Sequence, residues 1–318
     1  MKEKTNIKAK VRFGLILTAT LVLMLVMDYF APVAFDIIIL CLALIAANEF
    51  RILMRKAGYP PIKYGPVVAC ALIFVAFIVC YLCKLPAYLT LLIEMALIGV
   101  MYLCFYLLGV FFMRKKVKQD AFRLATNIGV SGFSYFKANN TLSAVIYPTA
   151  LLMFIYFINH IQELGLSLTS KVQGVPYGLF GLVLLFSISC LTDTFAMIFG
   201  CLIKGVKIFP KISPKKTLAG ALFGIVGGIG GALLALYTFR LIFGGIFVTL
   251  ALWQLIVIGA VGSIVAQAGD LFESFIKRRA NEKEAGDFFH SHGGVLDRFD
   301  SITFCAPYIF VCLILLFA

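Results

Sequence analysis

Nine apolar runs separated by short basic stretches constrain this chain more than any other feature. An α-helix needs about 20 apolar residues to cross a hydrocarbon layer about 30 Å thick, where backbone polar groups can pair only with one another. The runs cover residues 13–27, 33–50, 65–83, 87–113, 142–159, 176–203, 217–239, 241–268 and 302–318. They predict an all-α, polytopic integral membrane protein of about nine transmembrane helices. A pair of soluble domains is excluded, because 62% of the 318 residues are apolar and only 14% charged. No long linker, low-complexity tract or repeat of solenoid length is visible. The expected organisation is an N-terminal transmembrane part, 1–141, with about four spans, and a C-terminal transmembrane part, 142–318. The second part contains the longest hydrophilic segment, within 269–301.

Charge sets the orientation. There are 28 Lys and Arg against 15 Asp and Glu, a net charge of +13. Asp28 and Pro32 mark either a hairpin between the first two runs or a kink within one long span. With two separate spans, the basic clusters at 2–12, 51–63, 114–123, 204–216 and 277–298 all fall on the side of the N-terminus. That is the positive-inside pattern, with the N-terminus cytoplasmic and the C-terminus outside. Merging the runs would put the later clusters opposite the first. The order of basic then apolar residues at the N-terminus also suits a signal peptide, but no convincing cleavage pattern follows, so a retained first span is expected. The clusters are short and carry no recognition helix or RNA-binding pattern, so nucleic acid is not an expected partner. Cys80 and Cys83 form a CxxC with no second pair or nearby histidine, which points to packing rather than metal. The stretch 124–141, with Gly129, Gly132, Phe133, Tyr135 and Phe136, is too polar to span and is expected to lie in the interface.

Acids inside spans cost about 2.5 to 3.5 kcal/mol each on insertion scales, so those present need a reason. Asp193 follows Ser187, Ser189 and Thr192 in an otherwise apolar run, and Asp270 closes the eighth run. Asp270, Glu273, Asp297 and Asp300 share one segment with Lys277, Arg278, Arg279, Lys283 and Arg298. Hard divalent cations such as Mg²⁺ take carboxylate oxygens and keep water or substrate phosphate as further ligands. Carboxylates for a metal beside cations for phosphate make a phosphoryl-transfer composition. His290 and His292 flank Ser291 just before Gly293-Gly294, without a third soft ligand for zinc; the glycine pair suits either a tight turn or backbone N–H groups turned to a phosphate. Ser213-Pro214-Lys215-Lys216-Thr217, after Lys204, Lys207 and Lys211, is either an orientation signal or an anion site at a helix start. The seventh run carries Gly220, Gly224, Gly227, Gly228, Gly230 and Gly231, a close-packing face.

Several of these motifs together resemble the phosphatidate cytidylyltransferases, or CDP-diacylglycerol synthases. Ser274, Lys277, Arg278, Lys283 and Gly286, followed by His292-Gly293-Gly294, Asp297-Arg298 and Asp300-Ser301, are similar to that family's signature. Gly269-Asp270-Leu271 with Glu273-Ser274 resembles its GDLxES element, 213–217 its SPKKT loop, and Asp193-Thr194 with Ala196 the start of its DTxAY helix. The resemblance covers about 190–301; the N-terminal half shares only its hydropathy and a Glu49-Phe50 pair. Departures fall at Ala219, where the family has an acid, and at Met197, Glu284 and His290-Ser291.

The resemblance implies transfer of a cytidylyl group from CTP to phosphatidate in phospholipid biosynthesis. It implies Mg²⁺ held by Asp270, Asp297 and Asp300, with a second, monovalent cation such as K⁺. Lys277 and Arg298 join these aspartates as catalytic residues. Asp193, Ser213, Lys215, Lys216, Thr217, Ser274, Arg278, Lys283, His292, Gly293 and Gly294 are the implied substrate-binding residues. It further implies a homodimer in the cell membrane with its active site on the cytoplasmic side. Another CTP-dependent lipid-phosphate cytidylyltransferase or a polyprenol kinase is the alternative activity, and an ion-coupled transporter the non-enzymatic one.

Overall fold

The computed structural model describes residues 19–20, 22–30, 32–116, 130–162, 176–203, 205–243, 251–289 and 293–317. Helix 22–30 is followed by α1 (Pro32–Lys56), α2 (Gly65–Leu82), α3 (Ala87–Lys116) and α4 (Val130–Ala144). A wide helical turn at Val145–Ala150 leads to α5 (Phe154–Asn159), then α6 (Tyr177–Ile203), α7 (Leu218–Phe243), α8 (Leu252–Arg279) and α9 (Leu296–Phe317). The described residues contain no strand, only an isolated bridge between Lys207 and Thr217. Eight helices among them are long and apolar enough to cross a membrane. These correspond to eight of the nine expected runs; of the remaining run, 13–27, residues 13–18 and 21 lie outside the described residues.

Three expectations are corrected. Residues 135–141 do not form a separate interfacial segment; they open a span running from Tyr135 to Asn159. Hydropathy misses this because the polar side chains of Asn139 and Thr141 are paired. Thr141 Oγ1 donates to the Lys137 carbonyl at 2.7 Å and accepts the Ile62 N–H at 2.9 Å, and Tyr102 Oη donates to Asn139 at 3.0 Å. Inside that span Pro148 has no N–H to give, and the residue before it is pushed from the α region. Tyr147 accordingly sits at φ −113, ψ 122, and its ring packs on Phe50, Phe272 and Phe304. The second correction concerns the eighth span, which runs from Leu252 to Arg279 rather than over 241–268. Gln267, Asp270, Ser274 and Lys277 recur at helical spacing, so a polar inner face carries the helix past the point where apolarity ends. In the third, the last span begins at Leu296, bringing Asp297 and Asp300 into α9, so the hydrophilic loop shrinks to about 280–295.

Glycines decide how closely the C-terminal helices approach. Gly220, Gly227 and Gly231 line α7 at near-heptad spacing against backbone carbonyls of Ala196, Leu191 and Ser187 on α6. A methyl group on Gly231 would stand 2.5 Å from the Ser187 oxygen, and one on Gly227 would overlap Leu191. Gly228 and Gly259 meet across α7 and α8, where a methyl group on either would lie 2.6 Å from the other's carbonyl oxygen. Gly230 has open space around it.

Loop contacts gather three basic clusters at one end of the bundle. Lys56 pairs with Glu282 at 2.7 Å, Arg279 donates to Tyr59 Oη at 2.9 Å, and Arg278 donates to the Ile212 carbonyl at 3.2 Å. At the other end His160 meets Asp36 at 2.8 Å, and Asn159 donates to Asp28 at 2.9 Å. Gly227→Ala is expected to destabilise the purified protein by about 1 to 3 kcal/mol through forced helix separation, while Gly230→Ala is neutral or slightly stabilising. Thermal unfolding in detergent checks the pair, and equal midpoints would refute the packing assignment.

Candidate active site

A cavity of about 510 Å³ opens at the basic end, between α6, the 205–217 segment, the start of α7 and α8. Asp193, Ser213, Lys215, Lys216, Thr217 and Asp270 all line it, drawn from three places far apart in sequence. The 205–217 segment is held by its bridge: Ile208 N–H donates to the Lys216 carbonyl at 3.2 Å and Leu218 N–H to the Val206 carbonyl at 2.8 Å. Thr217 then ends it as a helix cap, its Oγ1 accepting the Gly220 N–H at 3.1 Å. This turn aims the Lys216 ammonium at α8, where it meets Asp270 Oδ2 at 2.9 Å and the Gln267 carbonyl at 3.3 Å. Asp270 Oδ1 also accepts from Ser274 Oγ at 3.3 Å. On the facing wall, Asp193 accepts from Ser301 Oγ at 3.1 Å, which ties α6 to α9. The remaining wall is apolar, with Met197, Cys201, Phe209 and Leu271.

Beside the cavity lies a second polar cluster around Lys277. Its ammonium contacts Asp297 Oδ1 at 2.7 Å and Glu273 Oε2 at 3.2 Å, with Glu273 fully buried. The other Asp297 oxygen accepts the N–H groups of Ala285 and Gly294, each at 2.8 Å. Gly293 has φ +83, a conformation costly for residues with a Cβ, and so lets the chain turn onto that carboxylate. Glu49 of α1, 7% exposed, accepts the N–H groups of Val295 at 3.2 Å and Leu296 at 2.8 Å. Asp300, one turn along α9 from Asp297, accepts the Ser301 N–H at 2.7 Å. Asp193, Asp270 and Asp300 are near enough to feel one another's charge, part of which Lys216 and Lys277 offset.

The implied residues therefore divide. Six face the cavity. Lys277, Asp297, Gly293 and Gly294 make the adjoining cluster, Ser274 supports Asp270, and Arg298 stands in the first turn of α9. Arg278 joins two loops, donating to the carbonyls of Ile212 and Glu282 at 3.2 Å each, and Lys283 is exposed on the 280–289 segment. His292 lies outside the described residues. Sequence reasoning missed Gln267 and Tyr147, and gave Ser301 and Glu49 no role, although Glu49 is an acid at the end of an apolar run and carries the signal that singled out Asp193.

Mg²⁺ was tested against these side chains. Among the described residues no three acid, imidazole or thiol groups converge as a ready cage. Mg²⁺ seldom uses one; a carboxylate or two with phosphate and water suffices. Two carboxylates facing a cavity, with a third near enough to feel their charge, make a donor set that fits a hard cation.

The fold and the site together define a polytopic helical membrane protein with carboxylates and lysines facing each other across a cavity at its basic end. Residues 8–316 match the model of the Cytidylyltransferase family, and the chain belongs to that family. It is 40% identical over 134 residues to the phosphatidate cytidylyltransferase of Rickettsia felis, which is 42% of this chain and 59% of that protein. Against the Rickettsia typhi protein of the same name it is 42% identical over 130 residues, 41% of this chain and 56% of that one. Against that of Staphylococcus saprophyticus it is 34% identical over 191 residues, 59% of this chain and 64% of that one. The chain thus matches between 56% and 64% of these relatives' lengths.

The two lysines differ in surroundings. Lys277→Met is expected to cost about 3 to 5 kcal/mol, because it leaves Glu273 and Asp297 buried without their cation. Lys216→Met removes a half-exposed pair and is expected to cost under about 1 kcal/mol. Unfolding midpoints of the two variants, measured side by side, check the difference.

Proposed function

We propose that this chain transfers a cytidylyl group from CTP to phosphatidate, giving CDP-diacylglycerol and pyrophosphate. The observation that carries the reading is the cavity: Asp193 and Asp270 face Lys215, Lys216 and Ser213 across it, in a chain of the Cytidylyltransferase family. A phosphate oxygen of the lipid attacks the α-phosphorus of CTP, and the bond to the bridging oxygen of the β-phosphate breaks, releasing pyrophosphate. The attacking oxygen is already anionic, so no strong base is required. The barrier is then mainly one of positioning and of charge neutralisation.

Each wall has a part in this. Lys215 and Lys216 offset phosphate charge; an incoming polyphosphate gives Lys216 an anionic partner to replace Asp270. Ser213 and the N–H groups at the start of α7 offer neutral donors. Asp270, with Asp193 and Asp300 beside it, would hold Mg²⁺, and Asp297 orients Lys277 at the edge of that acid set. When bound, Mg²⁺ supplies charge neutralisation on phosphate oxygens. The apolar flank of Met197, Cys201, Phe209 and Leu271 suits the acyl region of a lipid. The clustering of 51–63, 205–216 and 277–298 at one end supports a cytoplasmic mouth by the positive-inside pattern, where CTP is supplied.

Purified protein given Mg²⁺, phosphatidate and CTP labelled at the α-phosphorus is expected to yield labelled CDP-diacylglycerol and free pyrophosphate. Release of CDP with a phosphorylated lipid would instead mark a kinase and overturn the proposal. Asp270→Asn is expected to lower kcat at least about 100-fold while the unfolding midpoint stays near wild type. Normal turnover in that variant would remove Asp270 from the site.

A further inference from the structure

Glu49 stands out because it lies on α1, far in sequence from every cavity residue, yet it touches the segment leading into α9. Its carboxylate accepts the N–H groups of Val295 at 3.2 Å and Leu296 at 2.8 Å, the donors that the start of a helix leaves without an internal partner. The negative charge also faces the positive end of α9. Two glycines show how closely the loop is wrapped around it. A Cβ on Gly294 would lie 2.5 Å from Glu49 Oε2, and one on Gly286 would overlap Oε1. Neither glycine has positive φ, so it is the carboxylate rather than the backbone that excludes a side chain there.

Asp297 holds the same segment from the opposite side, through Ala285 and Gly294, and passes that placement to Lys277. The loop before α9 is thus gripped between two carboxylates, one from each half of the chain. Glu49 itself does not line the cavity.

We propose that Glu49 is a positioning residue: by capping α9 and filling the space left by Gly286 and Gly294, it fixes Asp297, Lys277 and the start of α9 relative to the cavity. The proposal rests on the cytidylyl-transfer reading only for its activity measurement. The mechanism predicts a loss in turnover rather than in substrate affinity, because Glu49 does not line the cavity while small displacements of positioned groups are costly to the chemical step.

The test is Glu49→Gln, which preserves volume but leaves one acceptor oxygen for two N–H groups. Its kcat is expected to fall about 10- to 100-fold with KM for CTP changed less than about threefold. Backbone hydrogen exchange at 293–297 is expected to speed up, with the other helices exchanging as in wild type. Wild-type kcat overturns the proposal, and so does a loss of kcat with unaltered exchange at 293–297. If Glu49→Gln does not fold, Gly286→Ala, which wedges a methyl group against the same carboxylate, is expected to reproduce both effects; unaltered exchange at 293–297 in that variant overturns the proposal. Should the wild type show no cytidylyl transfer, the activity reading fails by itself and the exchange measurement alone decides on Glu49.

Discussion

The polar end of this bundle depends on an ammonium group held between carboxylates within a helical layer. Lys277 faces Glu273 on its own helix and Asp297 on the next. Glu273 is fully buried, so the cation offsets an acid that would otherwise be costly to bury as an anion. Because Asp297 also accepts two backbone N–H groups, the same pair fixes the turn through Gly293 and Gly294. The loop over α8 and α9 is therefore built by charge compensation, and the cavity beside it inherits its shape.

A different force forms the opposite wall. Association of helices in lipid gains little from hydrophobic burial, since lipid tails are as apolar as the side chains, so close backbone approach has to supply contact. The glycines of α7 supply it against α6 and α8, bringing Asp193 and Asp270 to one cavity. The polar contacts Ser301 to Asp193 and Lys216 to Asp270 then join elements that packing has already placed. Tight glycine packing and a wet, charged mouth thus occur along the same helices, at different depths.

Much of this was legible beforehand. Eight of the apolar runs became candidate spans, since spanning demands a length and an apolarity that any reading of the chain detects. Asp193, Asp270 and the 213–217 loop were visible because an acid or a lysine pair interrupts an apolar pattern. The end of α8 was not, because its Asp270, Glu273 and Lys277 read as a departure from the membrane when their charges are counted singly. Residues 135–141 were misjudged for the same reason: the polarity of Asn139 and Thr141 is cancelled by partners on α3 and in the 57–64 connection. Pairing across elements is invisible to hydropathy.

What the sequence determined by itself is the membrane-spanning helical class, the basic face and the identity of the acids available for chemistry. Those follow from composition and local order, which need no knowledge of neighbours. Only the tertiary structure separated acids that face the cavity, Asp193 and Asp270, from Asp297, whose oxygens are taken up by a lysine and two backbone amides. It alone brought Glu49 to the start of α9, across a separation of more than half the chain. The physical reason is that a carboxylate's role is set by which donors reach it, and those donors come from helices that meet only when the bundle is packed.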